Sequence, residues 1–275
     1  MTQVFDDPAK VCILSGRFTR SEFLHSWNHY AYAKQHGYTY ISCDWPTTAQ
    51  NRYMTKFFYI KHYINLFDYV FWIDDDAFFI DLKQPLDRFI PAPGKLASFC
   101  GSPTNKKIFT YLSSGQCLMR GGQASETFID RIIATSLDKV KDWWRDDLDM
   151  FTNGDQDAIV YVVHEDPDYR DCIDLYDYMD FNSRIGDLEE NPDKVFLLHF
   201  TGPRERKIAD AAKAAKLLGC GPALLPLHVQ DDLLGGRSLM SVLRSMEPAD
   251  SDTQSVWHTS PLKLAFRRVF GKKSR

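Results

Sequence analysis

One stretch limits what this chain can fold into more than any other. Tyr69-Val70-Phe71-Trp72-Ile73, a β-branched and aromatic run, goes straight into Asp74-Asp75-Asp76-Ala77. Such a run reads as a strand buried on both faces, as the central strands of a parallel sheet are. The strand must stop where charge begins, and open α/β sheets gather their ligands at the carboxyl ends of the strands. Three carboxylates placed there raise each other's pKa unless a cation sits among them. Asp74 and Asp76, one residue apart, suit a hard divalent metal that takes oxygen ligands. The plainer reading is a solvated acidic turn after a core strand, and other parts of the chain must decide between the two.

The segments on either side supply a matching framework. Val11 to Leu14 is a short apolar run closed by Ser15-Gly16-Arg17. Thr19 or Ser21 can cap a helix that carries Phe23, Leu24, Trp27, Tyr30 and Ala31 to Gln35. His36-Gly37 is a stop signal, and Tyr38 to Ser42 reads as a second strand, which completes a βαβ unit. Arg52 to Leu66 reads as a helix with Lys56 and Lys61 on its polar side. Further on, Lys95 to Phe99 reads as a strand, and Ser113-Ser114-Gly115 as a loop entering a strand that ends at Arg120. Ser125 to Thr135 is helical in pattern, and a second helix starts at Asp155-Gln156-Asp157. Lys194 to Leu198 reads as a last core strand running into His199, and Arg206 to Leu218 as a surface helix ended by Gly219. Asp171 to Tyr178 mixes apolar and acidic residues and has no clear period. This order predicts an α/β fold with a mainly parallel sheet flanked by helices. The expected division is a main domain over residues 1–220, an extension or linker over 221–260, and a tail over 261–275.

Charge and cysteine usage narrow the function classes. The net charge of −4 gives no support for a nucleic-acid binder, which would normally show a basic surface. The charge is uneven: residues 261–275 hold six Lys or Arg and no acid. Leu262, Phe266, Val269 and Phe270 fall on one side of that tail at helical spacing. An amphipathic helix on an anionic membrane surface is one reading of it. A basic disordered terminus, or a helix packed on the acidic body, are equal alternatives. The six cysteines are far apart and form no C-x-x-C pair, which fits a reducing compartment and suggests no zinc site. The first ten residues are polar and acidic, unlike a signal peptide, and no apolar run reaches transmembrane length. The expectation is a cytoplasmic protein, with peripheral attachment at the inner face of the membrane if the tail docks.

Three other places put reactive side chains where a predicted strand or helix begins or ends. His199 follows Val195-Phe196-Leu197-Leu198. A lone histidine near a core strand is more often a packing residue, but with Asp74 and Asp76 it becomes a third ligand of the kind Mn²⁺ accepts. Asp155 and Asp157 are ordinary residues for a helix start, whereas Gln156 is not a preferred cap. Arg17, Lys56 and Arg204 are cations that a diphosphate bound at such a metal would need.

Taken together and in order, these pieces resemble the GT-A glycosyltransferases that use nucleotide sugars. The similarity is to the galactosyl-, mannosyl- and xylosyltransferase family of fungi and plants, with glycogenin-like retaining enzymes as cousins. It rests on His36-Gly37-Tyr38, Lys56, Phe71 to Ala77 as the D-x-D segment, and Ser114-Gly115 with Leu118-Met119-Arg120. Asp155-Gln156-Asp157-Ala158 and His199-Phe200-Thr201-Gly202 complete it, over roughly residues 10–205. Two departures stand out. Arg204 is at about the place where the family often has lysine, and Ser113-Ser114-Gly115 replaces its Asn-Thr-Gly loop.

The resemblance implies transfer of a hexose or pentose from a UDP- or GDP-sugar to a hydroxyl of a glycan or glycolipid, with retention. Mn²⁺ or Mg²⁺ would be held by Asp74, Asp76 and His199, with Arg204 and Lys56 helping to neutralise the diphosphate. Asp75 would face the donor, and Leu14, Ser15, Gly16 and Arg17 would contact its base or ribose. Gly202 would belong to the turn beside the diphosphate. Ser113, Ser114 and Gly115 would contact the acceptor or the donor sugar. Gln156 would stabilise the reacting sugar, with Asp155 or Asp157 holding its hydroxyls. Two rivals place a similar motif after a buried strand or keep a similar fold. One is a phosphotransferase of the haloacid-dehalogenase type, the other an inactive nucleotide-sugar-binding protein.

Overall fold

The computed structural model describes residues 9–18, 21–49, 51–105 and 108–235. Its centre is a six-stranded sheet in the order β2-β1-β3-β6-β5-β7. The strands are β1 (Val11–Gly16), β2 (Thr39–Cys43), β3 (Tyr69–Ile73), β5 (Ala97–Asn105), β6 (Ile108–Arg120) and β7 (Ile173–Tyr176). β1 runs parallel to β2 and β3, and β7 runs parallel to β5. β6 is antiparallel to both β3 and β5, so it is the one reversed strand of the six. The fold is α/β with a mostly parallel sheet, as the alternation of apolar runs requires.

β3 is buried on both faces. Val70 and Trp72 join the apolar cluster on one side of the sheet, Phe71 and Ile73 the cluster on the other. The first cluster is closed by α2 (Thr55–Tyr63), α3 (Gln123–Ile133), α4 (Leu137–Trp143) and α5 (Asp155–Glu165). α1 (His25–His36) covers the second.

A two-stranded antiparallel sheet lies at the carboxyl end of β3. It pairs β4 (Ala77–Phe79) with β8 (Leu197–His199). The run from Lys194, read from sequence as a last core strand, is a short buried strand of this separate ribbon. A 3₁₀ turn over Pro192–Lys194 uses up its first residue.

α1 departs from its expected start and face. It begins at His25 behind Leu24, with no side-chain cap, while Ser21 accepts only from the Phe23 amide. Thr19 lies outside the described residues. The buried face is His25, Asn28, His29, Ala31, Tyr32 and Ala33, and Tyr30 points to solvent. The reason is hydrogen bonding to the segment after β3. Asn28 donates to the Phe79 carbonyl at 2.9 Å and accepts from the Phe79 amide at 2.8 Å. His29 donates to Ala77 O at 2.8 Å, Tyr32 to Gln84 O at 2.7 Å and His36 to Leu82 O at 2.8 Å. Polar side chains on the inner face of α1 thus satisfy backbone that no neighbouring strand reaches. Tyr32 also stacks on Phe79 with centroids 3.7 Å apart.

Two further expectations are corrected. Ser113-Ser114-Gly115 is not a loop but the interior of β6, a 13-residue strand. Lys56 is not on a solvated face: its side chain is buried, because two carboxylates and a carbonyl from other segments surround its ammonium. Between β7 and β8 lie α6 (Tyr178–Phe181) and α7 (Ile185–Glu190); after β8 come α8 (Arg204–Leu217) and α9 (Leu227–Leu234). Ala223 and Leu225, between the last two helices, pack in the same apolar cluster as Ile13 and Phe71. Residues 236–275, including the basic tail over 261–275, lie outside the described residues.

Candidate metal centre

Three separate elements deliver the cluster. β3 ends at Ile73, and Asp74 is held at that exit by its amide, which donates to Gly115 O at 2.9 Å. The chain turns through Asp75 and Asp76 into β4, where Ala77 is in register with His199 on β8. The Phe200 amide donates to Asp76 O at 3.0 Å and closes that ladder. Ligand atoms of Asp74, Asp76 and His199 consequently lie within 4.8 Å of one another. Gly115 on β6 is the floor beneath them. A Cβ there would stand 2.7 Å from His199 Cε1 and 3.2 Å from Asp74 Oδ2. Only glycine lets the backbone approach this closely.

The two aspartates differ in environment. Asp74 Oδ1 accepts from the Trp72 indole at 2.7 Å and lies 3.2 Å from Lys56 Nζ. Burial raises its pKa against the pull of Lys56, and the charge of Asp76 adds to the rise. Asp76 is buried too, yet His199 and Lys207 beside it outweigh desolvation and hold it well below the usual carboxylate range. Lys207 on α8 pairs with Asp76 Oδ2. Asp76 Oδ1 is buried without a hydrogen bond, 3.2 Å from His199 Nε2. That orphaned oxygen, the glycine floor and a set of two carboxylates with one imidazole fit a divalent cation that takes oxygen and nitrogen ligands.

Lys56 ties the helix start of α5 to this cluster. Its ammonium lies 3.1 Å from Asp155 Oδ2 and donates to Ser114 O at 2.9 Å. Desolvation would lower its pKa, but Asp155 and Asp74 together push it above its ordinary value. Asp74 and Asp155 are thus two ends of one charge bridge, and Gln156 is the next residue on α5. Asp157 faces inward instead: its Oδ2 accepts from the Thr152 and Gly154 amides and the Thr152 hydroxyl. It fixes the turn that starts the helix.

The remaining predicted residues lie around this centre in different ways. Arg17 reaches Asp75 at 3.3 Å, bringing the end of β1 beside the acidic turn. Leu14 and Ser15 are fully buried, and Gly16 lets β1 meet β2, since a Cβ there would lie 2.2 Å from Cys43 O. Gly202 takes a φ of 98° in the turn before α8. Arg204 is exposed and pairs with Glu22. Lys207, one helical turn later, is the α8 cation that touches the cluster. Sequence reading missed it because Arg204 already filled the expected place. It also missed Asn182, which meets His199 only through tertiary structure, and Arg184, which bonds Asn182.

No family model matches the sequence, and no curated protein matches it. Solved structures do. A glycosyltransferase involved in the glycosylation of the major capsid of PBCV-1 matches with a TM-score of 0.55 and 15% identity, covering 73% of this chain and 98% of that one. The glycosyltransferase GlyE of Streptococcus pneumoniae TIGR4 matches at TM-score 0.48 and 13% identity, over 83% of this chain and 64% of its own. The bifunctional WbbM in its apo form follows at 0.47 and 10%, over 76% of this chain and 50% of its own. The chain therefore has the α/β, GT-A-like fold that the first of these glycosyltransferases shares.

Proposed function

We propose that the protein is a metal-dependent glycosyltransferase. It would move a hexose or pentose from a UDP- or GDP-sugar to a hydroxyl of a glycan or lipid-linked acceptor. The observation that carries this reading is the convergence of Asp74, Asp76 and His199 within 4.8 Å at the carboxyl end of β3, on a GT-A-like fold. When bound, Mn²⁺ or Mg²⁺ would act as Lewis acid on the donor diphosphate. The chain's own residues do the rest. Lys207 adds positive charge on the α8 side of the cluster, where diphosphate charge develops as the bond to the sugar breaks. Lys56 keeps Asp74 and Asp155 together without mutual repulsion. Gln156, beside Asp155, faces the donor sugar in this reading, and Arg17 and Asp75 frame its ribose. Kinship with the fungal and plant family, and retention at the anomeric carbon, rest on the motif resemblance alone.

A donor screen tests this. The protein is incubated with a panel of UDP- and GDP-sugars, with and without Mn²⁺, and free nucleoside diphosphate is measured. Metal-dependent release from one donor is expected. No release from any donor contradicts the reading, and hydrolysis of simple phosphate esters would favour the phosphotransferase.

Among the described residues no helix is long and apolar enough to cross a membrane. We propose that the tail over 261–275 docks on anionic lipid from the cytoplasmic side, where the acceptor would be assembled. Co-sedimentation with anionic liposomes should be lost in a chain ending at Ser260; equal behaviour of the two chains would sink the idea.

A further inference from the structure

His199 can serve a cation only through Nε2, and the structure shows what leaves that nitrogen free. His199 Nδ1 lies 2.9 Å from Asn182 Oδ1, with both side chains buried. The orientation of the Asn182 amide is fixed independently of the histidine. Its Oδ1 accepts from Arg184 Nη1 at 2.7 Å, and its Nδ2 donates to Gly101 O at 3.1 Å. A flipped amide would set a donor against the guanidinium and an oxygen against a carbonyl. With an oxygen facing Nδ1, that nitrogen must carry the proton. The lone pair of the neutral ring is then on Nε2, which points at Asp76 Oδ1 3.2 Å away.

The backbone holds this arrangement rigid. The Asn182 amide donates to Tyr178 O at 2.8 Å, Ser183 N to Leu197 O at 3.0 Å, and His199 N to Ser183 O at 2.9 Å. Ser183 is thereby stitched to β8, and Asn182 to the start of α6. Arg184 is in turn placed by its own amide, which donates to Asp187 Oδ2 at 2.6 Å. Every polar atom of the Asn182 side chain has a partner, as a buried network that specifies one geometry requires.

We propose that Asn182, locked by Arg184 and Gly101, is a positioning residue that sets the His199 tautomer so that Nε2 is presented to a divalent cation. This rests on the metal reading above and adds residues from the α6–α7 segment to it. Outer partners of this kind hold a ligand ring in orientation, and their loss typically costs about 10–100-fold in metal affinity.

Two measurements test it on the full chain. Mn²⁺ is titrated into wild type, Asn182→Leu and Asn182→Asp, with free Mn²⁺ followed by EPR. Asn182→Leu should bind about 10–100-fold more weakly, while Asn182→Asp, which keeps an oxygen against Nδ1 but loses the bond to Gly101 O, should lose clearly less than Asn182→Leu. Equal binding by wild type and Asn182→Leu would overturn the proposal. The second measurement needs no variant fold. In ¹⁵N-histidine-labelled wild type without metal, the ring nitrogens of His199 should show Nδ1 protonated. A ring protonated on Nε2 alone would overturn the proposal whatever the variants do. If wild type binds no Mn²⁺, the metal reading fails, and the nitrogen shifts still decide the tautomer.

Discussion

Gly115 lies so close beneath His199 that a single added carbon would stand 2.7 Å from the imidazole Cε1. The same carbon would be 3.2 Å from Asp74 Oδ2, so one backbone position on β6 controls the spacing of two of the three candidate ligands. Gly115→Ala is therefore expected to displace His199 or Asp74 rather than unfold the sheet. Mn²⁺ affinity should fall by at least about tenfold, with the far-ultraviolet circular dichroism unchanged. Unaltered affinity in a folded variant would mean that the ligands are arranged otherwise.

Lys56 separates two buried carboxylates. Replacing it with Met leaves Asp74 and Asp155 facing each other without a cation, a change that costs about 3–5 kcal/mol in comparable buried pairs. Urea unfolding of Lys56→Met should show a loss of that order. The double variant Lys56→Met/Asp155→Asn should recover part of it, because one of the two facing charges is gone and their repulsion with it. Strict additivity of the two changes would argue against the bridge.

The acid limb of stability should depend on Asp76. Its folded-state pKa lies below the ordinary carboxylate value, so its contribution is complete above about pH 4 and is lost as pH falls through the window down to the folded value. Asp74 is shifted the other way, so its contribution falls as pH rises through the carboxylate range. In metal-free protein, Asp76→Asn should flatten the drop in stability below about pH 4, and Asp74→Asn should not. Denaturant midpoints across an acid series would reveal a parallel response if the assignment were wrong.

All six cysteines are free and buried. Burial pushes their thiols up, to about 11 for Cys172 and Cys220 and about 12 for Cys12, Cys43 and Cys117. Thiolate is the reactive form, so Ellman's reagent should modify the native protein very slowly at neutral pH and all six thiols after unfolding. Rapid modification of any one thiol in native protein would show local opening around that residue.

The parts legible in sequence are those written in contiguous residues. β3 announced itself as a two-sided buried strand, and Asp74 and Asp76 at its end were readable as a candidate metal pair. His199 was readable because an apolar run led into it. Side chains whose partners come from distant segments were not. Lys56 has the spacing of a surface lysine, and its burial depends on Asp74, Asp155 and Ser114 folding around it. Asn28 and His29 look like a polar helix face, yet they turn inward to bond Phe79 and Ala77. Ser113-Ser114-Gly115 has loop composition, but β6 needs a small residue where it passes under the cluster. Asn182 is one polar residue among many, until Arg184 and Gly101 aim its oxygen at His199.

Asp76 is expected to hold a divalent cation that sugar-nucleotide turnover requires. The direct measurement is Mn²⁺-dependent nucleoside diphosphate release by wild type and by Asp76→Asn, each checked for native circular dichroism. Release that rises with Mn²⁺ in wild type and is absent at every Mn²⁺ concentration in Asp76→Asn is the expected result. Wild-type release by a folded Asp76→Asn protein would contradict the account.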